Sequence, residues 1–265
     1  MKKFFLFLST GLLLVACNDQ TKTATAAAEA PRKNTDMITQ NLKGKVQSIE
    51  ESSYAVDSTG KMGSRDSTTH TSEFTEPGYQ SSYITKDQSG KIKEEQTMAH
   101  YENGAVKEFM TKKDGKQTER WEIILDSSGN YQEAKVYDSA NKLRNYYKEL
   151  SQDEYGQVTK GTEYTPDHKM KSMFENSYKD GIFTGSINRD SSGKETFRSV
   201  VQLDEKGFPV SMTSTSKIKD STKTETKTYK YDNMDEKGNW TQRTEYNEKG
   251  KPVKIEKRTI TYYKD

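Results

Sequence analysis

A turn of one design recurs along nearly the whole chain, and it limits the folds open to it. Asp235-Glu-Lys-Gly238 and Asn247-Glu-Lys-Gly250 are its clearest copies, joining three extended segments between Thr226 and Tyr263. Asp or Asn in first place bonds the backbone ahead of it. Glycine in fourth place accepts the positive φ that returns the chain into the next strand. Turn glycines recur at Gly60, Gly78, Gly90, Gly104, Gly115 and Gly129, and again at Gly156, Gly181, Gly193, Gly207, Gly238 and Gly250. Three further turns without glycine fall at Asp138 to Asn141, Pro166 to His168 and Lys219 to Ser221. Such even spacing leaves room for one strand and one tight turn per step, the signature of an antiparallel meander.

Between the turns the residues favour a pleated surface, with Thr, Tyr, Val, Ile, Phe and Trp prominent. Trp121, Ile123 and Leu125 form one alternating stripe. Trp240, Thr244 and Tyr246 form another, with Thr241, Arg243 and Glu245 on the opposite face. Asn141 to Leu150 has some helical character, but its place between two regular turns makes it a strand. No apolar repeat at helical spacing occurs. Fifteen turns imply up to sixteen strands, which laid flat would span roughly 70 Å at about 4.8 Å per strand. Open sheets of that width curl, split or close. The fold class is therefore all-β, a long meander of hairpins curled into a barrel, half-barrel or coiled sheet. With 30% hydrophobic residues and 16 tyrosines, its core is thin and aromatic.

The chain begins with a segment of different character. Lys2 and Lys3 precede an apolar run from Phe4 to Val15 that is short for a membrane span. It ends Leu14-Val15-Ala16-Cys17, which resembles the lipobox of bacterial lipoproteins. That resemblance implies cleavage after residue 16 and lipidation of Cys17, with more than one acyl chain (palmitate among them) giving stable anchoring. The division is then a signal peptide at 1–16, the lipidated cysteine and a polar tether at 17–37, and a single β-repeat domain at 38–265. Cys17 is the only cysteine, so the domain has no internal disulfide and no thiol for metal binding or catalysis. Without Lys2 and Lys3, 40 basic residues face 40 acidic ones. This balance lacks the basic footprint of a nucleic-acid-binding protein.

The C-terminal stretch resembles the YD-repeat (Rhs-type) family. Tyr231-Asp232 supplies the dipeptide, followed after a loop by Gly238-Asn239-Trp240-Thr241-Gln242-Arg243. Tyr137-Asp138 is a fainter copy. Tyr101-Glu-Asn-Gly104 with Asp114-Gly115-Lys116 is also similar to MORN-type repeats. Small lipid-anchored proteins of diderm bacteria with tandem hairpins are the nearest match in kind. The resemblance implies a fold and no activity.

Motifs for chemistry are scarce. His70, His100 and His168 have no metal-ligand spacing, and there is no nucleophile elbow, phosphate loop or zinc-protease motif. Asp232-Asn233-Met234-Asp235 lacks the alternation of a calcium loop. No cofactor or metal is expected. Trp240 and Trp121 are core residues on alternating strands or, in the sharper reading, part of a ligand surface with Tyr231 and Tyr246. The expected function is a non-enzymatic envelope protein, anchored through Cys17 at the outer membrane, that presents a surface for binding or scaffolding. Its partner would be an envelope protein, glycan or lipid, and the face of the membrane is left open. The alternatives are a half-barrel carrier or binder of lipid or glycan, and a glycan hydrolase using paired carboxylates.

Overall fold

A computed structural model describes residues 34–57, 60–218 and 221–264. The signal segment, Cys17 and most of the tether lie outside the described residues. Sixteen antiparallel strands pair in sequence order: β1 (Val46–Val56), β2 (Met62–Phe74), β3 (Gln80–Asp87), β4 (Ile92–His100), β5 (Val106–Lys113), β6 (Lys116–Leu125), β7 (Tyr131–Asp138), β8 (Leu143–Gln152), β9 (Val158–Tyr164), β10 (Met170–Lys179), β11 (Ile182–Asp190), β12 (Glu195–Leu203), β13 (Pro209–Ile218), β14 (Ser221–Met234), β15 (Trp240–Asn247) and β16 (Pro252–Tyr262). β1 closes on β16 as a barrel. The barrel is the closed form of the expected meander. Each of the fifteen turns read from the sequence falls between two paired strands, and Leu143–Gln152 is strand β8.

Twelve of the hairpin loops share one five-residue geometry. In the loop from Asp87, the Asp87 N–H donates to the Lys91 carbonyl at 2.9 Å and the Gly90 N–H to the Asp87 carbonyl at 3.0 Å. The Asp87 carboxylate then accepts the amides of Ser89 and Lys91 at 2.9 and 3.1 Å. Loops from Asp126, Asp138, Asp153, Asp190, Asp204, Asp235 and Asn247 repeat these bonds. In the two glycine-free copies, Asn141 and His168 take the left-handed position at φ 55° and 62°. The loops at Asp114-Gly115 and Asp180-Gly181 are two-residue turns with both φ values positive, the mirror-image turn that matches strand twist.

Directly opposed pairs trace one face around the ring without a break. On one side Phe109 faces Trp121, Trp121 faces Val136, and Ala134 faces Tyr147. On the other, Arg243 faces Glu256, Arg258 faces Glu51, and Glu51 faces His70. This face is the inner one. Trp121 of β6 stacks on Tyr147 of β8 with centroids 5.5 Å apart, across the intervening β7, and only a concave surface brings alternate strands that close.

One wall of the interior, from β5 to β10, is apolar. Buried Trp121, Ile123, Ala134, Val136 and Val158 form its core, with Tyr147 and Phe174 packed against them. Gly161 is needed here because a Cβ would lie 2.5 Å from Leu150 Cδ2 and 2.6 Å from the Phe174 ring.

The outer face carries many charged pairs, set among apolar side chains such as Met110, Ile124 and Ile187. Lys112 pairs with Glu95 at 3.3 Å, Lys148 with Glu133 at 3.4 Å, and Arg189 with Glu175 at 2.8 Å. Arg120 lies over the Tyr137 ring at 4.4 Å, and Thr213 and Thr226 share a 3.1 Å hydrogen bond. These are cross-strand pairs of the kind that suit a solvated sheet.

One mouth is crossed by a strap, Asn34 to Lys45, which contains a single helical turn, α1 (Asp36–Thr39). Its fixings are polar and reach five loops. The Met37 N–H donates to the Gly78 carbonyl at 3.2 Å, and Asn34 donates to the Gly181 carbonyl at 3.4 Å. Thr39 accepts from Gln157 at 2.9 Å, and Asn41 donates to the Lys206 carbonyl at 2.9 Å. Asn239 closes the set, accepting the Lys43 N–H at 2.8 Å and donating to the Lys43 carbonyl at 2.9 Å. Leu42 pins the strap from below, buried with Val46, Ile49 and Phe74. Among the described residues, contacts with the barrel start at Asn34.

Candidate functional site: an ionic and aromatic wall inside the barrel

Opposite in character to the apolar wall is the stretch of inner face on β14, β15, β16, β1 and β2. It gathers Glu51, His70, Tyr229, Tyr231, Trp240, Arg243, Glu245, Lys254, Glu256 and Arg258.

Trp240 reaches this wall through a slip in strand pairing. Tyr231 faces Arg243, Asn233 faces Gln242, and Met234 faces Trp240, so Asp232 and Thr241 are each left unopposed. The extra residue at Thr241 turns Trp240 to the same side as Arg243. Thr244 and Tyr246 stay outward. The alternation read across Trp240, Thr244 and Tyr246 therefore breaks at a β-bulge. The Trp121, Ile123 and Leu125 stripe keeps its face, with Trp121 and Ile123 buried and Leu125 half-buried against them.

Trp240 is 4% exposed, with the Arg258 guanidinium 3.6 Å and the Arg243 guanidinium 4.6 Å from its ring. Arg243 also lies 4.8 Å from the Tyr229 ring. Arginine on an aromatic face keeps a favourable electrostatic contact after losing water. Each cation also has a carboxylate. Arg258 donates to Glu51 at 2.9 Å, Arg243 donates to Glu256, and Lys254 reaches Glu256 at 2.5 Å. Glu245 is held by Lys227 at 2.7 Å and more loosely by Lys254 at 3.9 Å.

Burial by itself would raise the Glu256 carboxyl, but Arg243 and Lys254 outweigh it and hold the group down at about 2. Burial opposes the charge on Lys254, yet Glu256 raises it above the ordinary lysine range. For Arg258 burial wins over Glu51 and the value falls. Burial also lowers His70, against the pull of Glu51, and its ring stacks on Tyr83 with centroids 5.5 Å apart. Tyr229 is pushed up to about 12 by burial.

Of the four residues expected in a ligand surface, the structure brings two together: the Tyr231 and Trp240 rings lie 6.0 Å apart. Trp121 belongs to the apolar wall and is 8% exposed, while Tyr246 sits on the outer face opposite Pro252. The ionic members were missed because Arg, Glu and Lys alternating along a strand look like a solvated face. The available signal was their dense mutual spacing at Arg243, Glu245, Lys254, Glu256 and Arg258. No group of three or more His, Cys, Asp or Glu side chains suited to a metal ion occurs among the described residues.

No protein-family model matches the chain, and no curated protein matches it. Its barrel is shared with a solved structure. A porin-like protein from Bacteroides uniformis superposes with a TM-score of 0.54 at 14% identity, covering 83% of this chain and 98% of that one. Such a likeness establishes architecture alone. A second porin-like protein, from Bacteroides vulgatus, gives 0.38 at 8% identity over 82% of this chain and 98% of its own. A chain of the Photorhabdus luminescens Tc holotoxin pore gives 0.32 at 12% identity, covering 78% of this chain and 11% of the toxin chain. These two scores are too low to support an argument.

Proposed function

We propose that the protein is a lipid-anchored component of the cell envelope, held through Cys17, whose barrel presents a binding or scaffolding surface and performs no catalysis. The outer face carries this reading. A barrel that spans a membrane needs an outward apolar band about 25 Å tall, and a Lys or Arg at its midplane costs about 2–4 kcal/mol. Here mid-strand outward positions carry Arg120, Lys148 and Glu175, and Lys112 and Arg189 lie outward nearer their strand ends. Such a barrel is suited to water beside a membrane, with attachment supplied by acyl chains at the lipobox cysteine. The outer membrane is the proposed site, and the Tyr-Asp pairs beside tandem hairpins support a likeness to YD-repeat and MORN-like lipoproteins.

The absence of catalysis rests on the state of the acids. A general acid at a glycosidic bond needs a raised pKa. Glu256, the most buried carboxylate of the inner wall, is instead held at about 2 by two cations. A second reading, a carrier that holds an acyl chain or glycan inside, is favoured by one observation. The wall of Trp121, Tyr147 and Phe174 gives the interior an apolar side opposite an ionic one.

Labelling cells with radioactive palmitate tests the anchoring. The wild-type chain should take up label and stay with membranes through an alkaline wash, and a chain in which an ordinary cleavable signal peptide replaces residues 1–17 should take up none and be released by the wash. Retention of that unacylated chain after the alkaline wash would show that the barrel itself inserts, and the proposal would fall.

A further inference from the structure

The twelve five-residue loops divide equally between the two ends of the barrel, and the two sets differ in charge at fixed positions. At the rim away from the strap, the fifth residue is always lysine: Lys61, Lys91, Lys142, Lys169, Lys194 and Lys251, all exposed. At the strapped rim the same position holds Tyr79, Ala105, Asn130, Gln157, Phe208 or Asn239. The second position is reversed. Five strapped-end loops carry an exposed glutamate there, Glu76, Glu102, Glu154, Glu205 and Glu236, and one far-end loop does, at Glu248. The five-residue geometry requires neither residue, since its bonds come from the first residue's side chain and the backbone.

The far rim has its own acids, and they face different ways. Asp87, Asp138 and Asp190 turn back on their loops, where one carboxylate oxygen accepts two backbone amides. Asp114 reaches Lys91 at 3.7 Å and Asp167 reaches Lys169 at 2.6 Å, but these two lysine side chains remain 65% and 79% exposed. Immediately behind the lysines lie large apolar side chains. Met62 is 45% exposed, Ile92 42%, Met170 38% and Val253 39%, each one or two residues after a loop lysine.

We infer that this lysine-bearing rim docks on an anionic lipid bilayer, with the ammonium groups on headgroup phosphates and the exposed methionine and isoleucine side chains against the apolar parts of the headgroup region. The six far loops hold seven lysines against six acids, Asp57 among them, and the six strapped loops two against nine. The far rim is thus the one an anionic surface attracts, and lysines backed by apolar side chains are the composition of an interfacial membrane surface. An acidic polysaccharide would satisfy the lysines but has no use for Met62, Ile92 and Met170. The glutamates of the strapped rim would be repelled from the same surface, which gives the barrel a single preferred face. This contact is separate from any anchor at Cys17.

The test uses the chain from Asn18 onward, which contains every described residue and cannot be acylated, so its outcome is independent of the anchoring proposal. Cosedimentation should show binding to phosphatidylglycerol vesicles, weak binding to phosphatidylcholine vesicles, and loss of binding as salt rises. Replacing the six loop lysines with glutamine should weaken binding about fivefold per lysine. Ile92→Ser with Met170→Ser should weaken the part that survives salt. Replacing the five strapped-rim glutamates with glutamine should leave binding intact or strengthen it. Circular dichroism checks that each variant keeps its strands. Equal binding by the lysine variant, or no preference for anionic vesicles, would overturn the inference. So would retention on polygalacturonate without vesicle binding, or self-association that replaces it.

Discussion

Glu256→Gln is the substitution whose effect follows most directly from the interior. The side chain is 5% exposed, and its two oxygens are taken by Arg243 and by Lys254, the latter at 2.5 Å. Glutamine keeps the volume and one acceptor but leaves two cations facing an uncharged group. Removing one member of a buried ion pair costs about 3–5 kcal/mol. The pH dependence gives an independent measure. The carboxyl moves from 4.5 in the unfolded chain to about 2 in the fold. A difference of that size corresponds to about 3 kcal/mol. A depressed folded value means that the contribution is complete above the unfolded value and decays as pH falls toward the folded one. Urea unfolding followed by circular dichroism should therefore show the variant about 3 kcal/mol less stable at neutral pH. The gap should close as pH falls below 4.5 toward 2. A companion variant, Arg243→Met and Lys254→Met with Glu256→Leu, should recover most of the loss, since apolar side chains of similar volume avoid burying the charges. A Glu256→Gln protein as stable as wild type at neutral pH, or a gap that does not change with pH, would refute the reasoning.

Three further outcomes follow from the packing. Gly104→Ala should destabilise more than Gly90→Ala in thermal melts: both sit at φ +84°, but a Cβ at Gly104 lies 2.0 Å from Tyr79 Cζ while that at Gly90 meets nothing. Backbone strain alone costs about 1 kcal/mol or somewhat more, which sets the Gly90 value as the baseline. Gly161→Ala has no such strain and should cost about 1–3 kcal/mol by overpacking against Leu150 and Phe174, with Phe174→Leu in the same chain relieving it. Asn239→Ala should release the strap: Asn239 is 1% exposed and bonds both backbone groups of Lys43. Hydrogen exchange at the Lys43 amide should then speed up while mid-strand amides of β6 and β7 keep their protection.

The turns made the strand count legible, because a positive φ and a capping carboxylate are local requirements that only a few residues satisfy. Asn141 and His168 show the limit of that rule, taking a glycine's place without a glycine. The facing of Trp240 was not legible. One unopposed residue at Thr241 reverses every side chain beyond it, and such a slip leaves no mark in the alternation itself. The ionic wall escaped notice for a related reason. A barrel this wide can bury arginine and glutamate by pairing them across strands, and Arg243 and Glu256 have the residue types of a solvated surface. The fixings of the strap were not legible, because Asn34, Thr39 and Asn41 hold it by hydrogen bonds, which carry no apolar period. The opposite signs of the two rims are written at the second and fifth positions of alternate loops, where the turn geometry sets no requirement on charge.

The central claim is that the barrel stands in water and does not cross the membrane. Single cysteines at outward mid-strand positions on different strands, such as Arg120, Lys148 and Glu175, test it in a Cys17→Ser background carrying a replacement transmembrane anchor. In isolated, opened envelopes every position should react with a membrane-impermeant maleimide as fast before detergent as after it. A continuous belt of positions around the barrel that reacts only once detergent is added would contradict the account.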